Sequence, residues 1–172
     1  MKLAGRLMIG IVAMGVAATV HAGSLNSDGD WQGWYGVGAS MKSGEWKLRA
    51  EEEIRTGNDF HNVYYDHLDI GLVRSMTSWL DLGVNFRQIE EKKAGEWVEE
   101  NRPYVNGILK WKIGGWSFAD RNRLEFRNLE GCEDRWRYRN RLALYPPFKL
   151  FGGNIKPYIA DEIYEDLNGN NM

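Results

Sequence analysis

WSFADRNRLEFR (residues 116–127) and RWRYRNRLAL (residues 135–144) are two stretches of alternating side chains, joined by the short polar segment NLEGCED (residues 128–134). In both stretches the charged residues apart from Asp120 share one parity, and most aromatic and aliphatic residues share the other. The charged set is Arg121, Arg123, Glu125, Arg127, Arg135, Arg137, Arg139 and Arg141. Because a β-strand directs successive side chains to opposite faces, we expect two strands with one guanidinium-rich face and one apolar face.

The N-terminus has the features of an export signal. Lys2 and Arg6 precede an uncharged apolar stretch, residues 7–20, and Val20-His21-Ala22 resembles a small-residue cleavage site. The apolar stretch is shorter than the roughly 20 residues that a membrane-spanning helix needs. The sequence therefore predicts a signal peptide over residues 1–22 that is cleaved after Ala22, followed by a single β-barrel domain over residues 23–172.

Export leaves two options for the apolar face of the strands. In a soluble protein it would point to the core, whereas in a membrane barrel it would point to lipid and the arginine face to the lumen. Aromatic residues reach 13% with eight Trp, although the mean hydropathy is −0.52. Tryptophan recurs at strand starts, at positions 46, 79, 97 and 116, as in an interfacial belt. We therefore expect a protein of the cell outer membrane. A soluble periplasmic lipocalin-like barrel, with its apolar face around a hydrophobic ligand, is the alternative.

The period-two pattern extends over the rest of the chain and predicts an all-β fold without helices after the signal. Eight strands are expected, at 31–40, 46–55, 63–74, 79–90, 97–112, 116–127, 135–144 and 155–164. We expect a charged loop at 91–96, and we expect Pro103 near a strand end or a bulge because it cannot donate to a ladder. The sequence predicts an antiparallel up-and-down transmembrane β-barrel of about ten strands in the complete protein. The Gly/Asn-rich ending indicates that this chain is truncated at the C-terminus.

Several motifs resemble one bacterial family. They are DLGVNFR (81–87), ENRPY (100–104), DRNRLEFR (120–127), WRYRNR (136–141) and KPY (156–158), followed by Asp161-Glu162. Together they resemble the domain-of-unknown-function family DUF2490, whose members are exported proteins thought to form outer-membrane β-barrels. The resemblance covers nearly all of the predicted mature chain. It implies a fold and a location, and it implies no activity.

A charged lumen needs counterions, and we predict a network of arginines and carboxylates. Its members are Arg121, Arg123, Glu125, Arg127, Arg137, Arg139, Arg141 and Glu162. Further carboxylates of matching parity are Glu51, Glu53, Asp69 and Asp81. A small barrel is filled by its own side chains, so the first expectation is a closed structural plug. The alternative is a barrel that binds an anionic ligand or lipid, or conducts anions through a narrow path. A plug balances its charges, whereas an anion site leaves a positive excess.

We predict no enzyme. The alternative is an outer-membrane lipase or deacylase that uses a Ser–His pair. The candidates are His61 and His67, with Asp69 on the strand face of His67 and with Ser75 and Ser78 as the nearest serines. No serine lies in a recognisable motif. No metal-ligand spacing is present, so neither a metal site nor a cofactor is expected.

The predicted mature chain has 20 Lys+Arg against 24 Asp+Glu, because the signal holds two of the 22 basic residues. A net charge of −4 does not favour nucleic acid as a partner. Membrane lipid and the export and barrel-assembly machinery are the partners that the architecture implies. Cys132, the single cysteine, lies in a predicted loop and cannot form an internal disulfide.

Overall fold

The structure, a computed structural model, describes residues 8–12, 31–153 and 155–167. It is one antiparallel sheet in which the strands follow one another in chain order. The strands are β1 (Met8–Val12), β2 (Gly33–Ser43), β3 (Trp46–Gly57), β4 (Asn62–Ser75), β5 (Leu80–Lys93), β6 (Glu96–Ile113), β7 (Trp116–Leu129), β8 (Arg135–Tyr145) and β9 (Ile159–Asp166). The described residues contain no α-helix, and a single 3-10 turn, Phe151–Gly153, lies between β8 and β9.

The eight antiparallel up-and-down strands expected from the alternation are confirmed as β2 to β9, with three corrections. The charged loop predicted at 91–96 is wrong, because β5 and β6 continue into a two-residue turn, Ala94–Gly95. The last strand begins at Ile159 rather than at residue 155, since the 3-10 turn and an isolated bridge between Leu150 and Ile155 occupy the preceding segment.

The third correction concerns Pro103, which lies inside β6 rather than at an end or a bulge. It pairs with Phe86 of β5. On the β7 side the ladder runs from Asn101–Asn128 to Tyr104–Glu125 without a change of register. The missing proline N–H is therefore accommodated by a gap in the pairing on one side of the strand.

Two-residue turns join the longest strands. Gly114 and Gly115, between β6 and β7, have φ values of 56° and 86°. Ala94 and Gly95, between β5 and β6, have φ values of 50° and 97°. Positive φ at both turn positions matches the right-handed twist of the flanking strands, which is why glycine is favoured there.

The sheet is open, and β1 and β9 are its two edges. β1 lies within the segment predicted to be the signal peptide and pairs with Gly38–Lys42 of β2. The other residues of that segment lie outside the described residues, and cleavage after Ala22 remains a prediction. Removal of β1 would leave β2 as the edge.

The two faces of the sheet differ in chemistry. The polar face, defined as the face that carries Asp69, Asn85 and Glu125, is the buried one. The apolar face is the opposite face and is the exposed one. On β5, Val84 of the apolar face is 60% exposed, whereas Asn85 of the polar face is 8% exposed. Residues on one face of a single sheet become buried only when the sheet curls over them, so the sheet curls toward its polar face.

No helix in the described part of the chain has the length and apolar character that crossing a membrane requires.

Candidate functional site

A cluster of charged residues fills the polar face from β6 to β9, and we call it the arginine cluster. Its members are Arg102, Arg121, Arg123, Arg127, Arg139 and Arg141 with Glu100, Glu125 and Glu162. Five of the six guanidinium groups contact the three carboxylates directly, and the cluster as a whole has an excess of three positive charges.

Glu125 is the centre of this cluster and is fully buried, with a side-chain exposure of 0%. Its Oε1 lies 3.2 Å from Nη1 of Arg123 and 3.4 Å from Nη1 of Arg139. Its Oε2 lies 3.7 Å from Nη1 of Arg102. The positions follow from the register, because Glu125 pairs with Tyr104 on β6 and with Arg137 on β8. A buried carboxylate is stable only with such partners.

Glu100 joins two further arginines to the cluster. Arg127 donates to both oxygens of Glu100, from Nε at 2.6 Å and from Nη2 at 2.8 Å. Arg102 donates from Nε to the same carboxylate at 2.9 Å. The contact with Arg127 is bidentate, which fixes the geometry of both side chains.

Glu162 of β9 contacts arginines of two strands. Its Oε1 accepts from Nη2 of Arg121 at 2.8 Å and from Nε of Arg139 at 3.0 Å. Arg141, which pairs with Glu162 in the β8–β9 register, donates to the hydroxyl of Tyr158 at 3.4 Å instead. Among the residues that the structure describes, no carboxylate lies within 4.0 Å of the Arg141 guanidinium.

Elsewhere on the polar face the ion pairs are one-to-one. They are Arg49–Glu51, Arg55–Glu53, Arg87–Asp69, Lys93–Glu91, Lys110–Asp81 and Arg137–Asp166. The positive excess within these ion-paired networks is therefore concentrated in the arginine cluster.

The structure places all eight residues of the predicted network on the polar face. Seven of them belong to the arginine cluster, and Arg137 pairs separately with Asp166 at 2.6 Å. The sequence reasoning missed Glu100, Arg102 and Asp166 as network members. Glu100 and Tyr104 have the same parity in β6. Extending the alternating pattern toward the start of this strand would have placed Glu100 on the polar face. The sequence pattern did not include Asp166, because the last strand is predicted to end at residue 164 and ends at Asp166 in the structure.

A second buried group surrounds Asp69 of β4, which is 1% exposed. Its Oδ2 accepts from Nε of Arg87 at 2.7 Å and from the hydroxyl of Tyr104 at 2.6 Å. His67 and Asn85 are buried next to it, and their side-chain polar atoms have no hydrogen-bond partner among the described residues. Polar atoms of this kind are commonly paired with water, which favours a hydrated space over this face.

The histidines and serines considered for a hydrolase do not come together. Asp69 accepts hydrogen bonds from Arg87 and Tyr104, and Nε2 of His67 lies 3.9 Å from Oε1 of Glu51. Ser75 lies eight residues farther along β4, roughly 27 Å away at the strand rise. His61 lies in the turn before β4, where its Nδ1 is 3.1 Å from the carbonyl oxygen of Asn58. These groups form no nucleophile–base pair.

A group of hydrogen-bonded polar side chains lies on the apolar face, and we call it the amide cluster: Asp120, Asn122, Tyr138 and Asn140. Nδ2 of Asn140 donates to Oδ1 of Asp120 at 2.6 Å and to Oδ1 of Asn122 at 3.2 Å. Asn122 donates to Oδ2 of Asp120 at 3.1 Å, and the Tyr138 hydroxyl donates to Asn122. The four side chains thus satisfy one another across β7 and β8.

Beside this cluster a groove of about 590 Å³ crosses the apolar face. Its apolar lining comes from neighbouring strands and includes Leu72, Leu82, Val84, Val105 and Leu124. Asn122 and Tyr138 of the amide cluster border it.

The described residues contain no group of three or more His, Cys, Asp or Glu side chains placed to hold a metal ion. Cys132 is exposed in the turn between β7 and β8 and has a free thiol.

The chain was compared with models of known protein families. The family model described as "Protein of unknown function (DUF2490)" matches residues 31–172. Neither the curated proteins nor the solved structures gave a match.

Proposed function

This chain belongs to the DUF2490 family of proteins of unknown function, and we propose that it is an outer-membrane β-barrel protein whose polar face lines the interior and whose apolar face contacts lipid. The family resemblance seen in the sequence motifs is thereby confirmed, while the location and the barrel are the proposal. The observation that carries it is the inverted polarity of the sheet. Charged and amide side chains are buried, and large hydrophobic side chains are exposed.

The inversion is unfavourable in water and favourable in a membrane. Leu68, Ile70, Val84, Phe86 and Val105 lie on neighbouring strands of the apolar face, and each is at least 45% exposed. A contiguous patch of this kind on a soluble protein marks a surface that another apolar phase covers. A soluble lipocalin-like barrel would bury these side chains and expose the charges, which is the reverse arrangement.

The dimensions fit a bilayer. The central strands β4 to β7 have 14, 14, 18 and 14 residues, and a tilted membrane strand needs about 9–11. Trp46 and Trp116 are the first residues of β3 and β7, Trp97 is the second of β6, and Trp79 directly precedes β5. Tryptophan at strand ends is typical of the interfaces on either side of the hydrocarbon.

The amide cluster is compatible with lipid because its hydrogen bonds are internal. Polar groups that face hydrocarbon are tolerated when they are satisfied by one another. At the edges of the sheet the backbone N–H and C=O groups are unpaired, and unpaired backbone groups are costly in lipid. We therefore include closure of the sheet in the proposal, with about ten strands in the complete barrel as the sequence predicts. The groove beside the amide cluster would hold an acyl chain.

The charge network has a structural role in this proposal. Bidentate and shared ion pairs link β6 to β7, β7 to β8, and β7 and β8 to β9 across the interior. In a small barrel, side chains of this kind fill the lumen and leave no open channel. The partners in this proposal are membrane lipid and, before insertion, the machinery of export and barrel assembly.

Fractionation of the full-length protein from its native cells, followed by gel electrophoresis with and without boiling, tests the proposal. We expect the protein in the outer-membrane fraction and an unboiled band that migrates differently from the boiled band, since a folded barrel resists the detergent. A variant with Glu125→Gln provides a control, because loss of the buried carboxylate should lower the temperature at which the two bands merge. A protein recovered in the soluble periplasmic fraction, with one band under both conditions, would overturn the proposal.

A further inference from the structure

We infer that Arg121, Arg139 and Arg141, with the hydroxyl of Tyr158, form a binding site for a phosphate-type dianion on the polar face. This site deepens the proposed function and rests on it, because it places the ligand inside the proposed barrel. The inference starts from the charge excess of the arginine cluster and from Arg141, which has no carboxylate within 4.0 Å among the described residues.

Three cations lie around Glu162, and one of them, Arg139, also contacts the buried Glu125. Arg121 and Arg141 lie directly opposite each other on β7 and β8, and Arg139 follows on the same face of β8. Glu162 contacts Arg121 and Arg139 and carries the only negative charge that they share. Like charges directly opposite on neighbouring strands destabilise the pairing. A bound dianion would offset this repulsion, which a single carboxylate does not balance.

Unused hydrogen-bonding capacity lies in the same place. Nε of Arg121 is buried and has no hydrogen-bond partner among the described residues. Arg141 makes its polar contact with the Tyr158 hydroxyl and lies 5.7 Å from the centroid of that ring. The fixed fork of a guanidinium group matches two oxygens of a phosphate, and a hydroxyl adds a further donor.

The neighbouring positions leave room for a ligand. Ala119 of β7 pairs with Ala143 of β8, which pairs with Ala160 of β9. This row of three alanines comes next to Arg121, Arg141 and Glu162 on the same face, so β7, β8 and β9 carry no long side chain in the row, which Lys110 of β6 continues. The side chains of Arg121 and Arg139 are 21% and 23% exposed, so their charged groups can be reached from solvent.

The charge count selects the class of anion. The six guanidinium groups and three carboxylates of the arginine cluster leave three positive charges, and a doubly charged oxyanion offsets more of this excess than chloride does. A phosphate monoester group has this charge and geometry. Free inorganic phosphate has a similar charge and shape, so the ligand is either free phosphate or the phosphate of a lipid headgroup. The test examines each source separately.

The test is titration calorimetry on the purified full-length protein in detergent micelles, in a chloride buffer. One arm adds inorganic phosphate, and the other adds micelles that contain phosphatidic acid. We expect saturable binding in at least one arm, and Arg141→Gln should weaken it about tenfold or more, which corresponds to the loss of one charge-assisted hydrogen bond. Because Arg141 has no carboxylate partner among the described residues, this change should leave thermal stability nearly unaltered.

Arg137→Gln is the matched control on the same strand, since it breaks a one-to-one pair with Asp166 and leaves the three site arginines in place. It should lower stability and change the affinity less than twofold. Absence of binding in both arms, or binding that Arg141→Gln does not weaken, would overturn the site. The gel shift of the same preparation separates this failure from that of the barrel: a shifted band without binding rejects the site alone, and an unshifted band rejects the barrel.

Discussion

Arg121 of β7 and Arg141 of β8 are directly opposed on the polar face, and their two charges are balanced unequally. Arg121 has Glu162 at 2.8 Å, whereas Arg141 has only the Tyr158 hydroxyl at 3.4 Å among the described residues. The carboxylates of this face therefore account for the positions of most of its arginines and not for that of Arg141. A structural role and a binding role can thus be separated residue by residue.

Glu125→Gln should reduce the free energy of unfolding by about 3 kcal/mol, as expected when one partner of a buried ion network is removed. The reason is that Arg102, Arg123 and Arg139 all lose the one buried carboxylate that lies between them. Urea unfolding in detergent micelles measures the change. Glu133→Gln, at an exposed position in the segment between β7 and β8, is the control and should be nearly neutral. Equal stabilities of the two variants would contradict a structural network.

Tyr104→Phe should cost about 1–2 kcal/mol of stability, because it removes the hydroxyl that donates to buried Asp69 at 2.6 Å. The same unfolding measurement applies. Tyr35→Phe is the matched control, since Tyr35 is 40% exposed. If both changes are neutral, water replaces the Tyr104 hydroxyl without cost and Asp69 is more hydrated than its burial indicates.

Gly71→Ala should destabilise the sheet by about 1 kcal/mol or more, because a methyl group at this position would collide with the side chain of Asn85 on β5. Combining it with Asn85→Ala should restore part of the loss, and a double-mutant cycle measures the coupling. Gly36→Ala meets only ordinary contact distances and is the control. Additive effects of the two changes would show that Gly71 and Asn85 do not compete for the same space.

Asn140→Ala distinguishes a lipid environment from water at the apolar face. It removes the donor to Asp120 and Asn122, and in lipid no solvent replaces it, so a loss of about 1–2 kcal/mol is expected. Leu142→Ala, two residues along the same face, is a comparison for the loss of apolar contact alone. Unfolding of both variants in lipid vesicles gives the measurement. A neutral Asn140→Ala would mean that water reaches the amide cluster.

Much of the fold could be predicted because a strand has a strict period of two. Leu82, Val84 and Phe86 alternate with Gly83, Asn85 and Arg87, and that pattern alone gave β5 and its two faces. Boundaries were less accurate, since charged residues such as Glu91 and Lys93 are as common at the exposed end of a strand as in a loop. The pairing of β1 with β2 could not be foreseen, because pairing between distant segments leaves no local pattern.

The candidate site was only partly predictable for a related reason. Parity placed Arg121, Arg139 and Glu162 on one face, and the structure puts them in contact. Parity does not give the register between strands. The register determines that Arg121 lies opposite Arg141, and that Glu162 contacts arginines of both β7 and β8. The charge excess is a result of register, so the sequence left a balanced plug and an anion site as alternatives.

The central claim is that the apolar face contacts lipid, and spin labels at two adjacent residues of β5 test it most directly. Single-cysteine variants Val84→Cys and Asn85→Cys, made in a Cys132→Ser background because the native thiol is exposed, are labelled and reconstituted in lipid vesicles. The account predicts that the label at position 84 collides readily with oxygen dissolved in the lipid and poorly with a water-soluble nickel chelate, while the label at 85 is less accessible to oxygen. A label at 84 that the nickel chelate reaches freely, or that neither reagent reaches, would contradict the account.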